Sequence, residues 1–332
     1  MKLYALITAI LFLTMLFVPL FSLLGDGAEK TMSYAQVSST EATEPSHTEK
    51  ESEASEQSEK SDKVRVLRTS SGKVESVVTK DYLVGCVASE MLPTYHKEAL
   101  KAQAVVSYTY VLYLLSQPYS DEADITDNSA VHQAYRNKKE LKEKWGDRYE
   151  ECISLVEEAV DEVEGEYLTY DGIIIKPAYH AMSSGRTNSA LDVWGKDIPY
   201  LQSVTSDGDK LSPKLVSTYD FTLEEMKEKL SACSGESFDE VQIGESETNG
   251  GGYVKKLVIS GVSFTGEKLR TAFSLRSGAF TLEKHGENYR FTCTGYGHGV
   301  GMSQNGAEYM AKNGFTYDEI LRHYYQGTEI KS

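Results

Sequence analysis

Absent from this 332-residue sequence are a C-x-x-C pair, a basic stripe, a phosphate loop and any internal repeat. Its four cysteines, Cys86, Cys152, Cys233 and Cys293, are scattered and offer no zinc-ligand spacing. A formal net charge of −16 and a pI near 5.0 leave nothing to neutralise phosphates, which argues against nucleic acid as a partner. An acidic surface also suits an anionic polymer poorly, so a glycan ligand would be held by hydrogen bonds and ring stacking. Glycines alternate from Gly295 to Gly301, yet neither a following Gly-Lys-Ser/Thr nor the G-x-G-x-x-G spacing is present, and nucleotide binding is not expected. Ser183 and His298 can be drawn as a nucleophile pair, but the G-x-S-x-G elbow and an orienting acid are missing.

What is present begins at Leu3, where Leu3 to Leu24 runs about 22 residues without a charge, enough at 1.5 Å per residue to cross a roughly 30 Å hydrocarbon core. No A-x-A-like cleavage site follows cleanly, and the run exceeds the apolar stretch of a secretory signal, although a cleaved signal remains the alternative. Lys2 before the span and Asp26 and Glu29 after it orient the N-terminus to the cytoplasm and the rest outside. Residues 1–24 are therefore expected to be a transmembrane anchor. Residues 25–62, rich in Glu and Ser and nearly without large apolar side chains, cannot offset their chain entropy by burial and form an expected disordered acidic stalk. In an exported chain the four cysteines permit three disulfide connectivities. Cys86 in an apolar run and Cys152 in a helical one fit buried free thiols equally well.

Residues 63–332 suffice for one large domain or two intimately packed ones. Val64 to Val78 alternates around Ser-Ser-Gly as a β-hairpin. Helical spacing runs from Tyr95 to about Leu115, with Thr94 as the expected N-cap, and again from Lys139 to about Val163. Strand patterns occupy Glu166 to Tyr170, Ile173 to Met182, Tyr253 to Ser260 and Tyr289 to Thr294, and two short helices, Ser303 to Lys312 and Tyr317 to Tyr325, close the chain. Mixed elements without regular alternation predict an α+β domain outside the cytoplasm.

Three places could carry chemistry. Glu90 is an acid within the apolar stretch Val87 to Pro93, ahead of the long helix. Burial would raise its pKa and make it a proton donor near neutral pH, whereas a helix N-terminus would hold it ionised. The glycine loop from Gly295 to Gln304 implies close backbone approach or several positive φ angles; within it His298 could bind substrate, orient an acid, ligate a metal or simply bond its own loop. Tyr179 to Thr187, with Asp192-Val193-Trp194-Gly195, sets polar donors beside aromatic rings, as a sugar site requires.

At these places the sequence resembles the stage II sporulation protein D family, which includes amidase enhancers. The likeness covers Val64 to the C-terminus. It is carried by Gly297-His298-Gly299-Val300-Gly301-Met302-Ser303-Gln304 with Gly306-Ala307, by Glu98 to Val105 with Thr109-Tyr110, by Ser184-Gly185 with Thr187, by Asp192 to Gly195, and by Leu275-Arg276-Ser277. The family's Glu-Met-Pro is Glu90-Met91-Leu92-Pro93 here, and its Arg before Thr-Tyr is Tyr108. Some members hold zinc after the long helix; the matching segment, Asp127 to Tyr135, offers only Asp127 and His132, so neither metal nor other cofactor is expected.

The resemblance implies a lytic transglycosylase that cuts peptide-free peptidoglycan strands between N-acetylmuramic acid and N-acetylglucosamine. Glu90 would be its acid and base, with Tyr179, Ser183, Ser184, Gln103, His298 and Gln304 binding substrate. It further implies two partners, a peptidoglycan amidase/endopeptidase and a polytopic membrane protein of an engulfment complex. The competing class is a non-catalytic module that binds peptidoglycan and stimulates an amidase.

Overall fold

The structure, a computed structural model, describes residues 62–332. The anchor and all but the last residue of the stalk lie outside the described residues, among which no helix is long and apolar enough to cross a membrane.

The hairpin forms as its alternation requires: β1 (Lys63–Arg68) pairs antiparallel with β2 (Lys73–Val78). The chain then enters α1 (Thr79–Glu90), a helix that the sequence pattern does not announce. Tyr82 through Ala88 are all buried, so α1 is apolar on every side and shows no 3.6-residue stripe. Next, α2 (Lys97–Leu115) is capped not by Thr94 but by His96, whose ring accepts the Glu98 N–H, because Leu92 to Tyr95 first make a turn closed by the Tyr95 N–H on the Leu92 carbonyl. A parallel bridge brings β3 (Ile125–Thr126) to the far side of β1.

The single helix expected from Lys139 to Val163 is two, α3 (Lys138–Trp145) and α4 (Tyr149–Asp161), joined by a 3₁₀ turn. The break is at Gly146, which leaves α3 with φ 54°. Strand β4 (Tyr167–Tyr170) lies between β5 (Ile173–Ile174) and a strand from the C-terminus. The run Ile173 to Met182 is likewise interrupted: β5 stops, Pro177 intervenes without an N–H to donate, and β6 (Tyr179–His180) begins afresh. A short α5 (Ala190–Trp194) follows, N-capped by Ser189.

From Val216 to Thr294 the chain builds a second core. β7 (Val216–Phe221) is followed by α6 (Leu223–Ser234), then β8 (Ile243–Thr248), β9 (Val254–Ile259) and β10 (Val262–Phe264), α7 (Gly266–Ala272), and finally β11 (Phe280–His285) and β12 (Asn288–Thr294). Two antiparallel sheets, ordered β10-β9-β8 and β11-β12-β7, close over Met226, Leu230, Phe264, Leu269, Phe273 and Phe291. The chain returns to the first core through β13 (Met302–Ser303), α8 (Gln304–Lys312), α9 (Tyr317–Tyr324) and β14 (Glu329–Lys331), the strand beside β4. That first core gathers Tyr82, Leu100, Val105, Ile125, Val156, Leu168, Ile320 and Tyr324. The described residues thus form one compact α+β unit with two cores, the second inserted between β6 and β13. All four cysteines are free thiols, three of them buried.

Candidate functional site

On α1 the residues Tyr82, Cys86 and Glu90 recur every fourth position and share one face. Glu90 is the last residue of that helix, and Met91 to His96 separate it from the N-terminus of α2. The negative end of the α1 dipole therefore faces its carboxyl, and this disfavours charge where a helix N-terminus would have favoured it. Segment Gln133 to Arg136 lies across α1 at Gly85, where an added Cβ would sit 2.4 Å from the Arg136 carbonyl oxygen and 2.6 Å from the Tyr135 ring. This close approach delivers the Ala134 N–H to Glu90 Oε1 at 2.7 Å. Nearby charge is cationic: Arg136 lies within electrostatic reach of Glu90, and Lys144 Nζ bonds the Ala88 carbonyl at 3.0 Å.

The other wall comes from the parallel pair β6–β13, in which Met302 is opposite Tyr179 and Ser303 opposite His180. The pairing requires Gly301, at φ 72°, because a Cβ there would fall 1.9 Å from the Ala178 carbonyl oxygen. It brings the Tyr179 hydroxyl and, at the start of α8, the Gln304 amide to the side of Glu90, where both act to lower the pKa of its carboxyl. Burial outweighs these donors and pushes the Glu90 pKa up. Burial, followed by the Glu90 charge, pushes Tyr179 well above the usual phenol range, so its hydroxyl stays neutral.

Behind these groups lies a chain of neutral ones. Gln304 Nε2 donates to Gln103 Oε1 at 3.2 Å and Gln103 Nε2 to Ser107 Oγ at 3.1 Å. Gln133 Nε2 donates to the Ser107 carbonyl at 3.3 Å, and the Tyr179 hydroxyl to Gln133 Oε1 at 3.2 Å. The Cys86 thiol lies 3.7 Å from Ser107 Oγ, and burial, with the Glu90 charge second, raises its pKa well above normal. Gln103 is fully buried, which makes it a second layer beneath Gln304 and not a group a ligand could touch.

His298 sits beside this cluster with one ring nitrogen committed to its own loop. Nδ1 accepts the Val300 N–H at 3.0 Å, and the rings of His180 and Trp194 lie 5.8 and 5.4 Å away. Burial pushes its pKa down to about 3 and that of neighbouring His180 down to about 4, so both rings are neutral. Of the readings open for His298, the bond to its own loop is seen in the Val300 N–H contact. The Trp194 ring lies 5.4 Å from the His298 ring and is 45% exposed; Tyr296, 47% exposed, has the Arg276 guanidinium over its face. Asp192, on the same short helix as Trp194, bonds Asn249 Nδ2 at 2.8 Å and pairs with Lys255.

Ser183 and Ser184 do not join this group. Ser183 is fully buried and gives its N–H and hydroxyl to Asp209, a buried carboxylate that also accepts from Ser303 and Asn305. Its hydroxyl is therefore taken up in a structural bond, and the hydrogen bonds of Ser183 run to Asp209 and not to His298. Ser184 donates to the Gly251 carbonyl and lines a separate open pocket of about 210 Å³ with Arg186, Asp207 and Lys210. The zinc-holding arrangement of some family members does not fit this chain. Asp127 is taken by Arg68 at 2.9 Å and by Thr69, while His132 Nδ1 accepts the Thr126 N–H at 3.1 Å. Among the described residues no three His, Cys, Asp or Glu side chains cluster.

Three contributors escape sequence reading: the Ala134 N–H, Gln133 and Gly85. Only Gly85, a glycine inside an apolar run, left a mark there, as the sign of a close backbone approach.

Residues 68–170 match the family model described as Stage II sporulation protein. The chain is 39% identical over 271 residues to the stage II sporulation protein D of Bacillus subtilis (strain 168), an alignment covering 80% of this chain and 78% of that protein. The stage II sporulation protein D of Bacillus amyloliquefaciens is 36% identical over 277 residues, with the same coverage. An amidase enhancer of Bacillus subtilis (strain 168) is 26% identical over 302 residues, or 75% of this chain and 40% of that protein.

Proposed function

This chain belongs to the stage II sporulation protein D family, and we propose that it is a sporulation lytic transglycosylase that cuts peptidoglycan glycan strands, with Glu90 as its single acid and base. The observation that supports this most is the state of the Glu90 carboxyl. It is half-buried, raised in pKa by that burial, bonded by the Ala134 N–H of the crossing segment, and approached by the Tyr179 hydroxyl and the Gln304 amide, which oppose the rise. Among the described residues no second carboxylate bonds to it.

A hydrolytic glycosidase needs two carboxylates, one to protonate the leaving oxygen and one to attack or to activate water. One suffices when the substrate carries its own nucleophile. Glu90 gives its proton to the glycosidic oxygen as the bond from muramic C1 breaks. The muramic C6 hydroxyl then closes onto C1 as a 1,6-anhydro ring, and its proton passes to the Glu90 carboxylate, which restores the acid. Water is not consumed. Tyr179 and Gln304, neutral and beside the carboxyl, would bind the sugar or support its developing positive charge. The exposed rings of Trp194 and Tyr296 supply faces on which apolar sugar surfaces stack.

The transmembrane anchor at residues 1–24 and the stalk at 25–62 complete this reading by holding the domain off the outer membrane face. Peptide-stripped strands as substrate, and an amidase/endopeptidase and a polytopic membrane protein as partners, belong to the same proposal. The test is digestion of peptide-free glycan in oxygen-18 water. Muramic ends one water lighter than hydrolytic products, with no solvent oxygen, are expected without any partner protein. Reducing ends carrying oxygen-18 would mean hydrolysis and direct attention to a second carboxylate. Severed peptides appearing only once an amidase is added would make this chain an enhancer, as its relative of that name is called.

A further inference from the structure

The segment that brings the Ala134 N–H to Glu90 has no regular structure of its own: from Asn128 to Asn137 the chain is neither helix nor strand. Its backbone bond to α1, from the Arg136 N–H to the Gly85 carbonyl, is long at 3.4 Å. One guanidinium grips it at both ends. Arg68, the last residue of β1, has its side chain 4% exposed. Its Nε lies 2.9 Å from Asp127 Oδ2, a charge contact and not an aligned hydrogen bond, while the Thr69 N–H holds the other Asp127 oxygen at 2.8 Å. Its Nη2 donates to both oxygens of Glu140, in the first turn of α3, at 2.6 Å. Between these anchors the guanidinium covers the Tyr135 ring, 4.9 Å from its centroid, and that ring stacks on Tyr82 of α1 at 5.0 Å. Arg68 thus meets the segment before and after Ala134 and at the residue beside it. Three carboxylates, Glu75, Asp127 and Glu140, converge on its charge and would repel one another without it.

The bond so secured decides where the Glu90 proton sits. An amide N–H only donates, so Oε1, which meets it at 2.7 Å, is the carbonyl oxygen of the acid form and Oε2 carries the proton. We propose that Arg68 is a positioning residue that holds residues 127–140 across α1 and so fixes Oε2 as the oxygen that gives up the proton. Buried as it is, Arg68 acts through Ala134 and not on substrate. Its use in catalysis rests on the transglycosylase reading, whereas the positioning itself does not. The titratable and charged groups within electrostatic reach of Glu90 are Cys86 and Tyr82 of α1, Tyr179 of β6 and Arg136 of the crossing segment, with Lys144 of α3 on the Ala88 carbonyl. Of these, Arg136 moves with Ala134, and both favour the carboxylate.

The test is made on the full chain. Arg68→Lys keeps the charge and loses the planar fork that spans Asp127 and Glu140. Amide hydrogen exchange followed by NMR should show Ala134 exchanging roughly tenfold faster, while amides of α2 and of the second core keep their protection. On glycan, kcat should fall by about 10–100-fold with KM little changed, since the carboxyl is misplaced and the sugar site is not. Withdrawal of Ala134 and Arg136 raises the Glu90 midpoint, so the alkaline limb of the remaining cleavage should move up by about one pH unit, which a merely structural role would not do. Glu140→Gln, which keeps the capping box and an acceptor for Arg68 but not its charge, should free Ala134 in the same direction and less, and it decides the matter if the Lys variant loses protection throughout. An Ala134 that stays protected in folded Arg68→Lys overturns the proposal, as does a fall in kcat with the alkaline limb unmoved. Protection lost along the whole chain in both variants makes Arg68 a residue of stability alone and overturns it too. Ala134 released in a chain whose parent cuts no glycan keeps the positioning and loses the transglycosylase reading. A parent that cuts glycan while Ala134 ignores Arg68 does the reverse.

Discussion

Glu90 is held between opposing influences: burial and the α1 dipole disfavour its charge, while the Ala134 N–H, Tyr179, Gln304 and Arg136 favour it. Burial wins. Glu90→Gln should keep the fold and glycan binding while lowering turnover by about 10²–10⁴-fold, because the amide keeps the shape and cannot supply the proton. Product analysis beside a thermal melt checks both halves. The pH dependence of stability follows from the direction of the shift. With a folded pKa above the ordinary 4.5, the folded chain keeps the proton more tightly than the unfolded one. That contribution is fully present below 4.5 and lost as pH rises through the folded value. The melting temperature of Glu90→Gln, relative to the parent, should therefore climb from acid to neutral pH, and a flat difference would show a carboxyl that titrates normally. Glu90 was legible in the sequence because an acid in an apolar run is conspicuous. Gln133 and Ala134 were not, since a neutral amide and a backbone N–H acquire meaning only from what the fold sets beside them.

At the scale of elements, α1 and the segment crossing it decide the geometry. Gly85→Ala should cost about 1–3 kcal/mol by overpacking, because the new Cβ meets the Arg136 carbonyl and the Tyr135 ring, neither of which is a flexible tip. The same displacement withdraws the Ala134 N–H from Glu90, so turnover should fall beyond what lost stability explains; denaturant melts and rates on the folded fraction separate the two. The helix itself was invisible to pattern reading because burial on all sides erases the period by which helices are recognised. Conversely α3 and α4, with exposed charged faces, announced themselves, and only the break at Gly146 was missed. The strand expected from Ile173 to Met182 failed at Pro177, a residue whose missing N–H is legible in any sequence.

In the whole molecule, the second core interrupts the first between β6 and β13, and its own sheets leave Glu90 untouched. The first core alone supplies α1, β6 and α8, the three elements whose side chains meet at the carboxyl. Beyond the described residues, the uncharged run from Leu3 to Leu24 predicts that the full chain partitions with membranes. Protease added outside protoplasts should remove the domain by cutting within residues 25–62. Recovery of a soluble form beginning near Gly25 would instead show a cleaved signal.

By itself the sequence determined the α+β class and the family, and singled out Glu90 and the glycine loop as candidates, since each depends on residue type at short spacing. It could not determine that Ser183 is bound to Asp209, or that Glu90 ends one helix before the next begins. Those follow from contacts between residues far apart in the chain, such as Gln103 with Gln304 and Ala134 with Glu90. The raised pKa belongs to the tertiary structure for the same reason: a carboxyl's proton affinity is set by the water it loses and the donors it meets, and both are decided only when the chain closes around it.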